Sequence, residues 1–153
     1  MYDLERFLQA QDGFDTYNQA LREMRAGRKT SHWMWFIFPQ VKGLGRSDVS
    51  VRYAIRSREE AEAYLADTTL GKRLREITAV VLSHRGEDIQ MIMGGRIDAM
   101  KFRSSMTLFD AVSPSDIFAE ALEAFFSGKR DPRTLQIIAS ASNELNKINV
   151  GRL

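Results

Sequence analysis

Ser31-His32-Trp33-Met34-Trp35 gathers an imidazole and two indoles within five residues. Indoles can stack a planar ligand, and an imidazole that titrates near neutral pH can move a proton or hydrogen-bond a substrate. His32 is therefore the candidate catalytic group, with Trp33 and Trp35 as the aromatic walls of a pocket. Neighbouring side chains point apart, so Ser31 and His32 are poorly arranged as a nucleophile and its base. The other reading of this stretch is a core plug in which a backbone carbonyl satisfies His32.

A second cluster, Lys101-Phe102-Arg103-Ser104-Ser105, brings two cations and two hydroxyls into about a turn and a half of helix. Lys101 shares a face with Ser104 and Ser105, which are three and four positions on. Such a set can hold a phosphate or carboxylate; otherwise it is a solvated face whose serines bond back to carbonyls. Lys101 and Arg103 diverge by about 200° on an ideal helix, so they can meet on one ligand only beside a helix end or a neighbouring loop. Gly43-Leu44-Gly45-Arg46-Ser47 offers a glycine loop with a cation and a hydroxyl. It could cradle an anion through Arg46 and Ser47, or be a plain turn, and Asp48 stands where a dinucleotide fingerprint needs its third glycine. Gly27-Arg28-Lys29-Thr30 lacks the upstream glycine of a P-loop.

No metal site is expected. The two histidines, His32 and His84, are far apart, there is no cysteine, and Glu59, Glu60 and Glu62 crowd a helix start where acids complement the dipole. Asp88, Asp98 and Asp110 are read as caps and surface charge.

The elements that must carry these residues read as a row of helices. Asp3 is the expected cap of a first helix with Leu4, Phe7 and Leu8 inward, closed by Gly13. Asp15 is the expected cap of a second, closed by Gly27. Residues 28–48 are irregular and aromatic-rich, and Pro39 ends whatever forms there. Val49, Val51, Tyr53 and Ile55 alternate as in a strand, but no second alternating run offers a partner, so the segment is extended or a short helix. Ser57 through Glu60 is a capping box ahead of a helix with Ala61, Tyr64 and Leu65 inward. A longer helix follows Thr68 or Thr69 with Leu70, Leu74, Ile77 and Val81 on one face. Asp88 caps a short helix ending at Gly94-Gly95, and Ile97 to Val112 forms another. Ser113-Pro114-Ser115-Asp116 reads as cap, first-turn proline and acid ahead of a helix with Phe118, Leu122 and Phe125 inward. Asp131-Pro132 starts the last helix, and the polar tail from Asn143 is expected to fray. The expectation is one all-α domain over residues 1–153, of about seven helices with one irregular aromatic-rich segment.

Several stretches resemble a known bacterial family, the domain of unknown function 1810. They are Ser31 through Gln40 followed by Gly43 through Ser47, Tyr53-Ala54-Ile55, Glu60-Ala61 to Tyr64-Leu65, Leu70-Gly71 to Leu74, and Lys101 through Phe109. The likeness runs from about Asp3 to Leu135. It implies a mainly α-helical single domain and no established activity.

Composition narrows the function classes. With 44% hydrophobic and 27% charged residues, the 153-residue chain has the balance of a globular protein. Its lack of cysteine excludes disulfides and a thiol nucleophile. No leader-like segment opens it, and its longest apolar run, Trp33 to Phe38, is too short for a bilayer, so a cytoplasmic, non-membrane protein is expected. A net charge of +2 argues against a nucleic-acid partner despite a pI near 9.0. No cofactor is implied, and the oligomeric state is open. Two functions remain: a pocket for an anionic, nucleotide- or ADP-ribose-like small molecule, with or without catalysis, and a protein-interaction module using exposed aromatics or the Arg-rich segments 22–29 and 52–58. In the first, His32, Trp33 and Trp35 shape the pocket, and Arg46, Ser47, Lys101, Arg103, Ser104 and Ser105 hold the negative group.

Overall fold

A computed structural model describes residues 2–140. Nine helices are bounded within them: α1 (Glu5–Asp12), α2 (Thr16–Ala26), α3 (Met34–Ile37), α4 (Asp48–Arg52), α5 (Arg58–Ala66), α6 (Leu70–Leu82), α7 (Ile89–Met93), α8 (Arg96–Val112) and α9 (Ile117–Phe126). A 3₁₀ turn, Gly13–Asp15, links the first two, and residues 132–140 are helical as well. The all-α architecture is as expected. The count exceeds seven because the aromatic segment and the alternating valine segment each hold one short helix. The expected fraying tail from Asn143 lies outside the described residues.

Local signals account for several boundaries. Ser57 accepts from Glu60 N at 3.0 Å and Asp88 accepts from Gln90 N at 2.9 Å, each capping the helix that follows. Gly27 closes α2 in the left-handed conformation, at φ +74°. Other caps differ from the expectation. Asp3 lies outside α1 and uses its carbonyl to bind Arg6. Asp15 precedes α2 but its side chain does not cap it. Pro114 is not in the first turn of α9, which begins at Ile117 with Asp116 as its cap. Ser115, at φ +64°, breaks helical geometry there, and Arg75 and Ser113 hold Asp116 in place at 3.0 and 2.8 Å.

The alternating run is not a strand. Ser47 caps α4 by accepting from Ser50 N, leaving Val49 and Val51 exposed. Only the end of the run is extended: Ile55 forms a parallel bridge with Val41, with Ile55 N bonded to Gln40 O and Lys42 N to Ile55 O, both at 2.8 Å. An isolated bridge needs no second strand.

Helix α8 is the axis of the packing. It contacts α3, α5, α7 and α9, while α6 joins α2, α5 and α9. One continuous apolar core runs from Phe7 to Leu122. Phe118 and Leu122 are wholly buried, whereas Phe125 packs on the core from its edge, short of the full burial expected. Phe38 meets Phe102 edge-on at 4.9 Å, which docks the aromatic segment against α8.

Candidate functional site

The aromatic segment and the start of α8 face each other across a cleft of about 500 Å³. On one side stand Lys29, His32, Met34 and Trp35; on the other stand Gly94 through Asp98 and, one turn along α8, Lys101. The chain can pass so close here only because of its glycines. A Cβ on Gly94, at φ +79°, would lie 3.0 Å from the Lys29 carbonyl, and Gly95 takes φ +145°, a region open essentially to glycine alone. No described side chain caps the N-terminus of the 17-residue α8, and its first residues line the cleft, so the positive end of its dipole faces it.

Three cations and one carboxylate line the space. Asp98 binds the Lys29 ammonium at 2.8 Å and lies 3.7 Å from that of Lys101. Lys29 also donates to Ser31 O at 2.6 Å and stands 5.1 Å over the Trp33 ring, so most of its capacity is used within the protein. Lys101 lies 5.0 Å over Trp35, and Arg96 is exposed at the helix start. Arg96 and Lys101 are thus the cations best disposed towards a solute, and the half-buried Trp35 ring lines the same cleft as His32. The arrangement can stack a flat group and hold a negative one.

Of the nine residues singled out in the sequence, His32, Trp35 and Lys101 line this cleft; the other six lie elsewhere. Trp33 is 1% exposed, beneath the surface, and its Nε1 donates to Glu23 at 3.0 Å. Arg46 and Ser47 sit on the exposed glycine loop, Ser47 being the cap of α4. Arg103 turns to the opposite side of α8, where it reaches Asp131 at 3.8 Å and donates to Arg130 O at 3.3 Å. Ser104 donates to the same Asp131 at 3.0 Å and back to Met100 O. Ser105 faces the core, and its hydroxyl has no partner among the described residues. The 101–105 cluster is therefore divided, as helical geometry demands, with Asp131 answering its far half.

His32 is not the core plug. It is exposed at the cleft lip, less sheltered than its two tryptophan neighbours suggested. The histidine held by a backbone carbonyl is His84, which meets Met24 O at 2.7 Å and Glu87 at 2.9 Å.

Lys29, Arg96, Asp98 and Glu23 were missed as site residues. The sequence offers Lys29 only as part of a failed P-loop and of a basic segment, and Asp98 only as a cap or surface charge. The paired glycines ahead of a basic first turn of helix were the available signal for Arg96. Glu23, 6% exposed near the end of α2, accepts from Thr30 N at 2.7 Å, Ser31 N at 2.9 Å, Trp33 Nε1 at 3.0 Å and Gln19 Nε2 at 2.8 Å, and also from the Ser31 hydroxyl. Burial pushes its carboxyl up, but the donors from Ser31, Thr30, Gln19 and Trp33 outweigh it and hold the pKa at about 2. Among the described residues no group of three or more His, Asp or Glu side chains could hold a metal ion. No described helix is long and apolar enough to cross a membrane.

An all-α protein with an aromatic and basic cleft at the head of its central helix is the class that fold and geometry define. The chain belongs to the family described as protein of unknown function (DUF1810), which matches residues 1–138. It is similar to the conserved hypothetical protein Rv1873 from Mycobacterium tuberculosis, whose crystal structure at 1.38 Å shares 45% identity with it. That match covers 90% of this chain and 97% of the other, with a TM-score of 0.85. No curated protein matches the chain.

Proposed function

We propose that the cleft binds an anionic small molecule with a planar group, of the nucleotide or ADP-ribose type. One observation carries the reading: Trp35, Lys101, Arg96 and the uncapped start of α8 line a single cleft of about 500 Å³, a size suited to such a solute. The planar part stacks on Trp35, and the negative part lies towards Arg96, Lys101 and the backbone N–H groups at the head of α8. His32, at the lip, is the group available to exchange a proton with the ligand, and catalysis, if the protein has any, would use it.

A thermal-shift screen of AMP, ADP, ADP-ribose and sugar phosphates tests this reading. A ligand at a hundred times its Kd adds about 2.7 kcal/mol of stability. The shift should vanish in Trp35→Ala and fall by about half in Lys101→Ala. Absence of any shift across the set, or a shift that both substitutions leave unchanged, overturns the proposal.

A protein-interaction module is the second reading. Phe14 favours it: the ring is wholly exposed on a turn residue at φ +54°. A partner that covered this ring would remove its apolar surface from water. Loss of a co-purifying partner in Phe14→Ser, with nucleotide binding absent, would decide for this reading.

A further inference from the structure

We propose that Glu23 is the positioning residue of the cleft: its one carboxylate folds residues 30–33 into the turn that places Lys29, His32 and Trp35 on the cleft wall. The inference rests on the reading of that cleft as a binding site, but its structural half stands independently. Residues 28–33 have no regular secondary structure. Their backbone N–H groups thus lack a ladder in which to be satisfied, and a buried N–H left unpaired is costly. Glu23 supplies what the ladder would. Its Oε1 receives the N–H groups of Thr30 and Ser31 together with the Trp33 indole N–H, and its Oε2 receives the Gln19 amide and the Ser31 hydroxyl.

A carboxylate has about four lone-pair sites, so five donors use all of them, with three sharing Oε1. Charge-assisted bonds of this kind are roughly twice as strong as neutral ones. The α2 backbone adds one more tie at the same place, since Arg28 N donates to Glu23 O at 3.1 Å. Glu23 thus holds the turn from one side, while Lys29 N, bonded to Ile92 O at 2.7 Å, holds it from the other. Between these two anchors the chain has little freedom, and Trp35 follows two residues after the last group Glu23 binds. Glu23 does not itself line the cleft, so it acts through the turn and not through contact with a solute.

The test compares Glu23→Ala, Glu23→Gln and a control, Phe118→Leu, which weakens the core away from the cleft. Glutamine keeps an oxygen for Thr30, Ser31 and Trp33 and loses the charge. In ¹⁵N–¹H spectra of the full chain, Glu23→Ala should move the Trp33 indole N–H, the Thr30 and Ser31 amides and, beyond them, the Trp35 indole and the Gly94 and Gly95 amides. Glu23→Gln should restore most of these positions, and Phe118→Leu should leave them alone. AMP affinity should fall at least ten-fold in Glu23→Ala, recover in Glu23→Gln and match wild type in Phe118→Leu. If Trp35, Gly94 and Gly95 keep their wild-type positions in Glu23→Ala, the proposal is wrong. Should Glu23→Ala fail to fold, Ser31→Ala and Trp33→Phe remove single donors, and unmoved cleft signals in both likewise overturn it. If the wild-type protein binds no AMP, the cleft reading loses that ligand, and the spectra alone decide the role of Glu23.

Discussion

Arg6 and Glu60 meet at 2.7 Å, 54 residues apart in sequence, with side chains only 4% and 2% exposed. The Arg6 guanidinium also donates to Arg52 O at 2.9 Å and to Ala54 O at 2.8 Å, so it fastens α1 to the turn ahead of α5. Glu60, the third residue of the Ser57 cap, additionally accepts from Arg56 N at 3.1 Å. Removing one partner leaves the other charge buried and uncompensated. Arg6→Ala should therefore cost about 3–5 kcal/mol in urea unfolding, and Arg6→Met with Glu60→Met should cost less than Arg6→Ala alone. A single-substitution loss below about 1 kcal/mol would mean that water reaches the pair.

Acid stability should carry the signature of Glu23. Its carboxyl titrates at the usual 4.5 when free of its partners and at about 2 in the folded chain. A depressed folded value stabilises the protein fully above pH 4.5, and that contribution is lost as pH falls towards 2. Its size is on the order of 3 kcal/mol. Asp116, held down by Arg75, the Ile117 N–H and Ser113 against the opposing effect of burial, works in the same direction. Stability measured from pH 6 down to 2 should fall less steeply in Glu23→Gln than in wild type. Equal slopes would remove Glu23 from the acid response.

The two halves of the 101–105 cluster should separate by experiment. Lys101→Ala should weaken nucleotide binding about ten-fold while leaving the melting temperature nearly unchanged. Arg103→Ala should leave affinity alone and cost up to about 1 kcal/mol of stability, because it loosens the tie to Asp131 at the start of the 132–140 helix. The reverse pattern would place the anion on the Arg103 side of α8.

Gly94→Ala should destabilise by about 1–3 kcal/mol, because alanine is strained at φ +79° and its methyl meets the Lys29 carbonyl at 3.0 Å. Thermal unfolding measures the loss, and a neutral effect would show that the two walls can part.

Ser105→Ala should be neutral or slightly stabilising. The hydroxyl is wholly buried without a partner among the described residues, so deleting it removes a desolvated polar group and none of the hydrogen bonds they make. A loss above about 1 kcal/mol would reveal a bonded partner for that oxygen.

What was legible in the sequence was local. Ser57, Asp88 and Gly27 act within three or four residues of themselves, and each does what its type and position demand. The periodic stripe of α6 likewise needs only its own helix to be read. Interactions across the fold were not legible. Nothing in the neighbourhood of Arg103 names Asp131, 28 positions on, and nothing near Glu23 announces that a loop beyond the helix end will bring it four donors. The alternation from Val49 to Ile55 misled because alternating residues become a strand only when a second chain segment lies alongside, and here Val41 meets Ile55 alone. The aromatic stretch did mark the right neighbourhood. Which indole faces outward was settled by the turn at residues 30–33 and by the approach of Gly94, both of which are tertiary.

The cleft walls are stitched together before any solute arrives. Lys29 N binds Ile92 O, Lys29 Nζ binds Asp98, and the Gly94 backbone rests against the Lys29 carbonyl. Neither wall can swing away without breaking these links, so the cleft has no hinge of its own. Docking of the proposed solute would then be a single step. Its observed rate in stopped-flow should rise linearly with solute concentration instead of levelling off at the rate of a closing lid.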